Sequence, residues 1–119
     1  VETVNQRMES TMHAATLSMM NKRQQITGCI IDGPLALDNA VSKKSCAIKN
    51  IESEVAGNAD IVVAPDINGA NFLYKALNFL GGASTAAVIM GAKVPIVLTS
   101  RADSERTKFL SIALAAAIG

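Results

Sequence analysis

Four short apolar runs, spaced between helical patterns, do most to limit what this chain can fold into. Asp60-Ile-Val-Val-Ala64 is the clearest: four apolar residues, three of them β-branched, bounded by turn signals. Thr27 to Ile31, Ala86 to Met90 and Pro95 to Leu98 are of the same kind. Each is too short for a helix and suits a buried strand. Between them lie helical patterns at 2–24, weakly at 35–42, at about 70–80, and from Ser104 to Ile118. Continuous apolar strands alternating with helices predict an α/β layer structure over residues 1–119, with a mostly parallel sheet covered by helices on both faces. The Gly91-Ala-Lys-Val94 connection is too short for a helical crossover, so the last two strands should form an antiparallel or sharply bent pair.

The first helix carries Val4, Met8, Met12, Ala15 and Met19 as one apolar stripe, expected to face the core. The last places Phe109, Ile112, Ala113, Ala116 and Ala117 on its apolar side. With three Phe, one Tyr and no Trp in 119 residues, any core must be aliphatic. A net charge of +1 supplies no field that would favour nucleic acid or a membrane surface. The longest apolar run, Ile112 to Ile118, is far short of the ~20 residues a span needs. Cys29 and Cys46 do not form a disulfide framework. They suit a reduced, intracellular protein with one buried and one partly exposed thiol. A lone histidine, His13, excludes a multi-His metal site and fits a helix surface.

In a parallel sheet, ligands bind outside the carboxyl ends of the strands. Three such ends carry polar clusters: Asp32-Gly33, Asp66 to Asn71, and Thr99 to Ser104. All three should open on one edge. Lys75, on the helix behind the second cluster, adds a cation. In the third, Ser100 is a small hydroxyl and Arg101 a planar cationic fork suited to phosphate or carboxylate. Asp103 and Ser104 form a capping pair for the helix that follows. The residue types favour an anion site, the alternative being a helix cap with a solvated arginine. Neither a G-x-G-x-x-G fingerprint nor a P-loop is present, and no nucleophile–histidine pair can be assembled.

Four blocks, in order, carry a resemblance: Asp32-Gly-Pro-Leu-Ala-Leu-Asp-Asn-Ala40, Ser53-Glu-Val-Ala-Gly57, Ala59-Asp-Ile-Val-Val-Ala-Pro-Asp-Ile-Asn-Gly-Ala-Asn71, and Pro95-Ile-Val-Leu-Thr-Ser-Arg-Ala-Asp-Ser104. Together they resemble the phosphate acetyl/butyryltransferases over nearly the whole chain, and look closer to the butyryl type. The resemblance implies an acyl group exchanged between coenzyme A and inorganic phosphate, both as substrates, with no bound cofactor or metal. It implies a two-domain fold like that of isocitrate and isopropylmalate dehydrogenases, with the active site in the cleft, in a cytoplasmic homo-oligomer, usually a dimer. It also implies that this chain is the C-terminal portion of a longer enzyme, one wall of the cleft and inactive alone. Other readings of the residues are an oligomerisation module, or a metal-dependent decarboxylating dehydrogenase of that fold in which Asp32, Asp38 and Asp66 would converge.

Residue by residue, the resemblance places Ser100 and Arg101 at the acyl and phosphate end of the cleft. Asp66, Asn68 and Asn71 fall on a Pro-Asp-x-Asn-x-x-Asn pattern, and with Asp32, Gly33 and Lys75 they make the expected substrate-binding set. Acetyl-type members place an aspartate seven residues after the serine as base for the coenzyme A thiol. Thr107 stands there in this chain and cannot serve. Asp103 is the nearest candidate, either as proton acceptor or as a cap whose pKa would then be low.

Overall fold

The computed structural model describes all 119 residues, Val1–Gly119. The chain divides into two compact units, Val1–Ile67 and Asn68–Gly119. Its elements are helices: α1 (Glu9–Lys22), α2 (Leu37–Val41), α3 (Lys43–Lys49), α4 (Ile67–Lys75), a π-helical turn (Ala76–Leu80) and α5 (Glu105–Ile118). No helix is long and apolar enough to cross a membrane.

No sheet forms, which overturns the expected layered, mostly parallel α/β architecture and its dehydrogenase-like two-domain form. The sole β pairing is a single antiparallel bridge, Ile89 with Ile96, closed by the Ile89 N–H on the Ile96 carbonyl at 2.8 Å. It agrees with the bent pair expected about Gly91, whose φ is +94°. The other apolar runs are chain segments without a ladder. Ile61 and Val63, at the centre of the strongest strand pattern, are 81% and 80% exposed. An apolar run specifies a strand only when a neighbouring backbone takes up its N–H and C=O groups. Here side chains do part of that work. The Asn21 amide donates to the Ile26 and Cys29 carbonyls, both at 2.9 Å, and accepts from the Ile31 N–H at 3.0 Å. One α1 side chain thus holds the segment that reads as the first strand. In the second unit, Ser111 Oγ accepts the Ala87 N–H at 2.9 Å.

Burial follows from that close approach. The buried residues of α5 are Thr107, Ser111 and Ala115, spaced four apart. Small side chains let an extended backbone lie against the helix, whereas the predicted apolar face stays out, with Phe109 68% and Ile112 61% exposed. The methionine stripe of α1 is likewise not core: Met8, Met12 and Met19 are all exposed, and the fully buried residue of α1 is Thr11. Its hydroxyl accepts the Asn5 N–H at 2.9 Å and donates to the Met8 carbonyl at 2.8 Å, tying the incoming chain to the helix start.

The rest of the first unit is organised by α2 and α3. Ser42 caps α3 by accepting the Ser45 N–H at 3.3 Å, and Asn50 ends it in the left-handed region at φ 52°. Asn39 is fully buried, and its carbonyl accepts the Gly57 N–H at 2.7 Å and the Cys46 thiol at 3.0 Å. Gly57 has φ +78°, and a Cβ there would lie 2.7 Å from the Lys43 nitrogen, so both conformation and space demand glycine. Cys46 is the buried thiol and Cys29 the exposed one, because the segment around Cys29 is not a core strand. His13 sits on the α1 surface, 3.9 Å from Glu9 one turn earlier.

Candidate functional site

The polar residues of the second unit meet where the Ser100–Asp103 turn lies against α4. After the extended Pro95–Leu98 run, the chain folds back on itself. Asp103 Oδ2 accepts the Ser100 N–H at 2.7 Å, the Asp103 N–H donates to the Ser100 carbonyl at 3.1 Å, and Ser100 Oγ takes the Ala102 N–H at 3.4 Å. Ser104, not Asp103, is the N-cap of α5, accepting the Thr107 N–H at 3.1 Å. This frees Asp103 from capping and leaves it closing the turn.

Arg101 sits at the tip of that turn, exposed and in none of the chain's ion pairs. A guanidinium with five free donors beside a half-buried serine hydroxyl can receive an anion. Asp103 beneath it is 6% exposed. Lys75 of α4 reaches the same carboxylate, Nζ to Oδ1, at 3.6 Å. The ammonium also lies 4.9 Å from the centroid of the Tyr74 ring and 5.4 Å from that of Phe79. Burial pushes the Asp103 carboxyl up, but the Ser100 N–H, the Tyr74 hydroxyl and the Lys75 charge together outweigh it. The group is held below the usual carboxylate range. Three buried polar atoms here complete no hydrogen bond: Tyr74 Oη, Lys75 Nζ and Asp103 Oδ1.

Of the expected site residues, Ser100, Asp103 and Lys75 come together, with Arg101 on the turn above. Asn68 and Asn71 are exposed on α4, and with Lys75 they follow an i, i+3, i+7 spacing along one helix face. Asp66, exposed, directly precedes α4. Asp32 and Gly33 belong to the first unit, where the Asp32 carboxylate accepts the Gly33 N–H at 2.8 Å. Gly33 packs on α1, where a Cβ would come 3.1 Å from the Ala14 methyl. The sheet edge that was to gather all three clusters is not formed. Thr107 is buried, with Ser104 Oγ at 3.2 Å and Thr85 Oγ1 at 3.5 Å, a packing position. Tyr74 was not anticipated. Its signals were that it is the only tyrosine and that it adjoins Lys75.

A turn presenting a serine hydroxyl and an unpaired arginine, backed by a buried carboxylate, suits a protein that handles anionic substrates. The chain belongs to the phosphate acetyl/butaryl transferase family, whose model matches residues 1–116. It is 62% identical over 116 residues to a phosphate acetyltransferase of Thermotoga maritima, covering 98% of this chain and 40% of that protein. A probable phosphate butyryltransferase of Bacillus subtilis is also 62% identical, over 97% of this chain and 38% of that protein. Relatives named for acetyl and for butyryl transfer are thus equally similar. The crystal structure of a branched-chain phosphotransacylase from Enterococcus faecalis matches with a TM-score of 0.86 and 38% identity, over 98% of this chain and 41% of that one. The chain spans about 40% of the length of these relatives.

Proposed function

We propose that this chain contributes the Ser100–Asp103 turn to the active site of an acyl-CoA:phosphate acyltransferase with a butyryl-like acyl group. A phosphate oxygen adds to the thioester carbonyl, the tetrahedral oxyanion collapses, the C–S bond breaks, and coenzyme A leaves as the thiolate. The products are acyl phosphate and coenzyme A. Arg101 binds the phosphate through its planar fork. Ser100 Oγ donates to the developing oxyanion, where one lost donor typically costs about 3 to 4 kcal/mol. Asn68, Asn71 and Lys75 line the approach along α4, and in the first unit Asp32, Gly33 and Asp66 are candidate substrate contacts of their own. Asp103 holds the turn. A carboxylate kept below its ordinary range is a weak proton acceptor at neutrality, and a thiol of pKa ~8.5 ionises with modest help. No protein nucleophile is needed if both substrates are held together.

The observation that carries this reading is the self-closed turn with Arg101 unpaired at its tip, in a chain of this family. Its test is a graft in which this chain replaces the matching 116 residues of the Thermotoga maritima enzyme. The graft should release coenzyme A from butyryl-CoA in a phosphate-dependent manner, while the 119-residue chain alone should not. In the graft, Arg101→Ala should raise KM for phosphate and lower kcat, with kcat/KM down roughly 10- to 100-fold, as for a lost charge-assisted hydrogen bond. Arg101→Lys should rescue poorly, being a point charge. Unchanged kinetics in Arg101→Ala would reject the assignment.

A further inference from the structure

We propose that Lys75 is a positioning residue of this site: its buried ammonium holds the Asp103 carboxylate, and through it the turn that presents Ser100 and Arg101. The proposal rests on the acyl-transfer reading of that turn.

Asp103 is 6% exposed, and a carboxylate taken out of water needs a counter-charge. Lys75 Nζ supplies it, 3.6 Å from Oδ1, and both residues belong to the second unit. The two carboxylate oxygens have separate tasks. Oδ2 accepts the Ser100 N–H at 2.7 Å, while Oδ1 completes no hydrogen bond and faces the ammonium. Attraction at Oδ1 opposes rotation of the carboxylate and so keeps Oδ2 on the Ser100 N–H. The Asp103 N–H donates in turn to the Ser100 carbonyl at 3.1 Å, so Ser100 is gripped at both of its backbone groups.

The ammonium is itself fixed. It lies 4.9 Å from the centroid of the Tyr74 ring and 5.4 Å from that of Phe79, both within cation–π range. Lys75 is also the N-cap of the π turn Ala76–Leu80, which carries Phe79. Single π turns inside helices are frequent at functional sites. Nζ is buried, and its neighbours are two rings and a carboxylate. Such an ammonium serves the protein, not an incoming phosphate. Arg101, exposed at the tip of the turn, is the cation that meets the substrate.

The experiment is a double-variant cycle of Lys75→Met and Asp103→Asn, with Lys75→Arg as the rescue. Met keeps the apolar stem and removes the charge, while Asn keeps an acceptor for the Ser100 N–H and removes the counter-charge. In the graft, Lys75→Met should lower kcat/KM roughly tenfold, and Lys75→Arg should recover most of that loss. In the Asp103→Asn background, Lys75→Met should cause no further loss. Hydrogen exchange in the 119-residue chain reads the turn directly. Lys75→Met should speed exchange of the Ser100 amide roughly tenfold and leave the Thr107 amide, bonded to Ser104, unchanged. Equal losses in the two backgrounds overturn the positioning role, because a direct substrate contact does not depend on Asp103. A Ser100 amide with unmoved exchange overturns it too, whether or not the Asp103→Asn graft folds. Equal acceleration at Ser100 and Thr107 reduces Lys75 to general stability and overturns it likewise. If Arg101→Ala is normal in the same graft, it is the acyl-transfer reading that has failed, and the exchange result still decides the hold of Lys75 on the turn.

Discussion

Each unit contains one lysine–aspartate pair, and the two are built differently. In the first, Lys49 lies 3.0 Å from Asp38, 3.0 Å from the Asn39 Oδ1 and 3.5 Å from Glu2, while Asp38 also accepts from the Ser45 hydroxyl. Both charges are fully engaged, and the side chains are 36% and 50% exposed. In the second, Lys75 and Asp103 are 3.6 Å apart, and the Asp103 side chain is 1% exposed. The first pair fastens α2 to α3. The second keeps unspent hydrogen-bonding capacity in a buried place, an expensive arrangement. The contrast separates a saturated pair from an unsaturated one where identical residue types do not.

The largest difference should appear on removing the acids. Asp103→Ala leaves a partly buried ammonium without its counter-charge and the Ser100 N–H without its acceptor. Breaking a buried pair in this way costs about 3 to 5 kcal/mol, and the lower end applies because the Lys75 side chain is 33% exposed. Asp38→Ala should cost much less, since Lys49 keeps Asn39 and Glu2 and stands in solvent. Urea unfolding of the 119-residue chain measures both. Equal losses would erase the distinction between the two pairs.

This contrast also marks how far the sequence could be read. The helix from Ser104, the turn near Gly91 and the polar loop at 99–104 were legible because local chemistry specifies them: a serine cap, a glycine at positive φ, and small polar residues after an apolar run. The sheet was not. Ile61, Val62 and Val63 have the composition of a buried strand, but pairing is a property of neighbours, and these residues are exposed without a ladder. Nor could periodicity reveal that Thr107 and Ser111 would be buried while Phe109 and Ile112 stay out. That depends on how closely the Thr85–Ala87 segment approaches α5. Ser100, Asp103 and Lys75 were all expected site residues and do come together, whereas the contact of the Tyr74 ring with the Lys75 ammonium needed coordinates.

pH should sharpen the comparison. Asp103 and Asp38 are both held below their ordinary value of 3.8. A carboxylate with a depressed folded-state pKa stabilises the fold above its unfolded pKa, and loses that contribution as pH falls through the folded value. Stability should therefore decline below about pH 4, and each acid should account for part of the decline. Lys49 differs in sign. Its pKa is raised above 10.5, chiefly by its hydrogen bond to Asp38, so its contribution is complete below 10.5 and disappears as pH rises through the folded value. Lys49→Met should flatten both the acid and the alkaline limb of a stability–pH curve, whereas Asp103→Asn should flatten the acid limb alone. An alkaline limb unaffected by Lys49→Met would show that the first pair contributes little in solution.

The smallest effect concerns the helix caps, where the two units again differ. Ser104 accepts the Thr107 N–H at 3.1 Å and also lies 3.2 Å from the Thr107 hydroxyl, at the head of a fourteen-residue helix. Ser42 accepts the Ser45 N–H at 3.3 Å, at the head of a seven-residue one. Replacing a serine cap by alanine costs about 1 kcal/mol on average, and the figure tracks the quality of the bond and what depends on it. Ser104→Ala should reach that value, because loosening the first turn of α5 also disturbs buried Thr107 and its contact with Thr85. Ser42→Ala should cost less, since α3 is tied independently by the Ser45 hydroxyl and Lys49 to Asp38. The order reverses if α3 depends on its cap more than on those ties. The double variants Ser42→Ala with Asp38→Ala, and Ser104→Ala with Asp103→Ala, would show it. Strong coupling belongs to the first double if the cap and the Asp38 ties substitute for one another, and near-additivity to the second, where Ser104 caps the helix and Asp103 closes the turn through separate bonds.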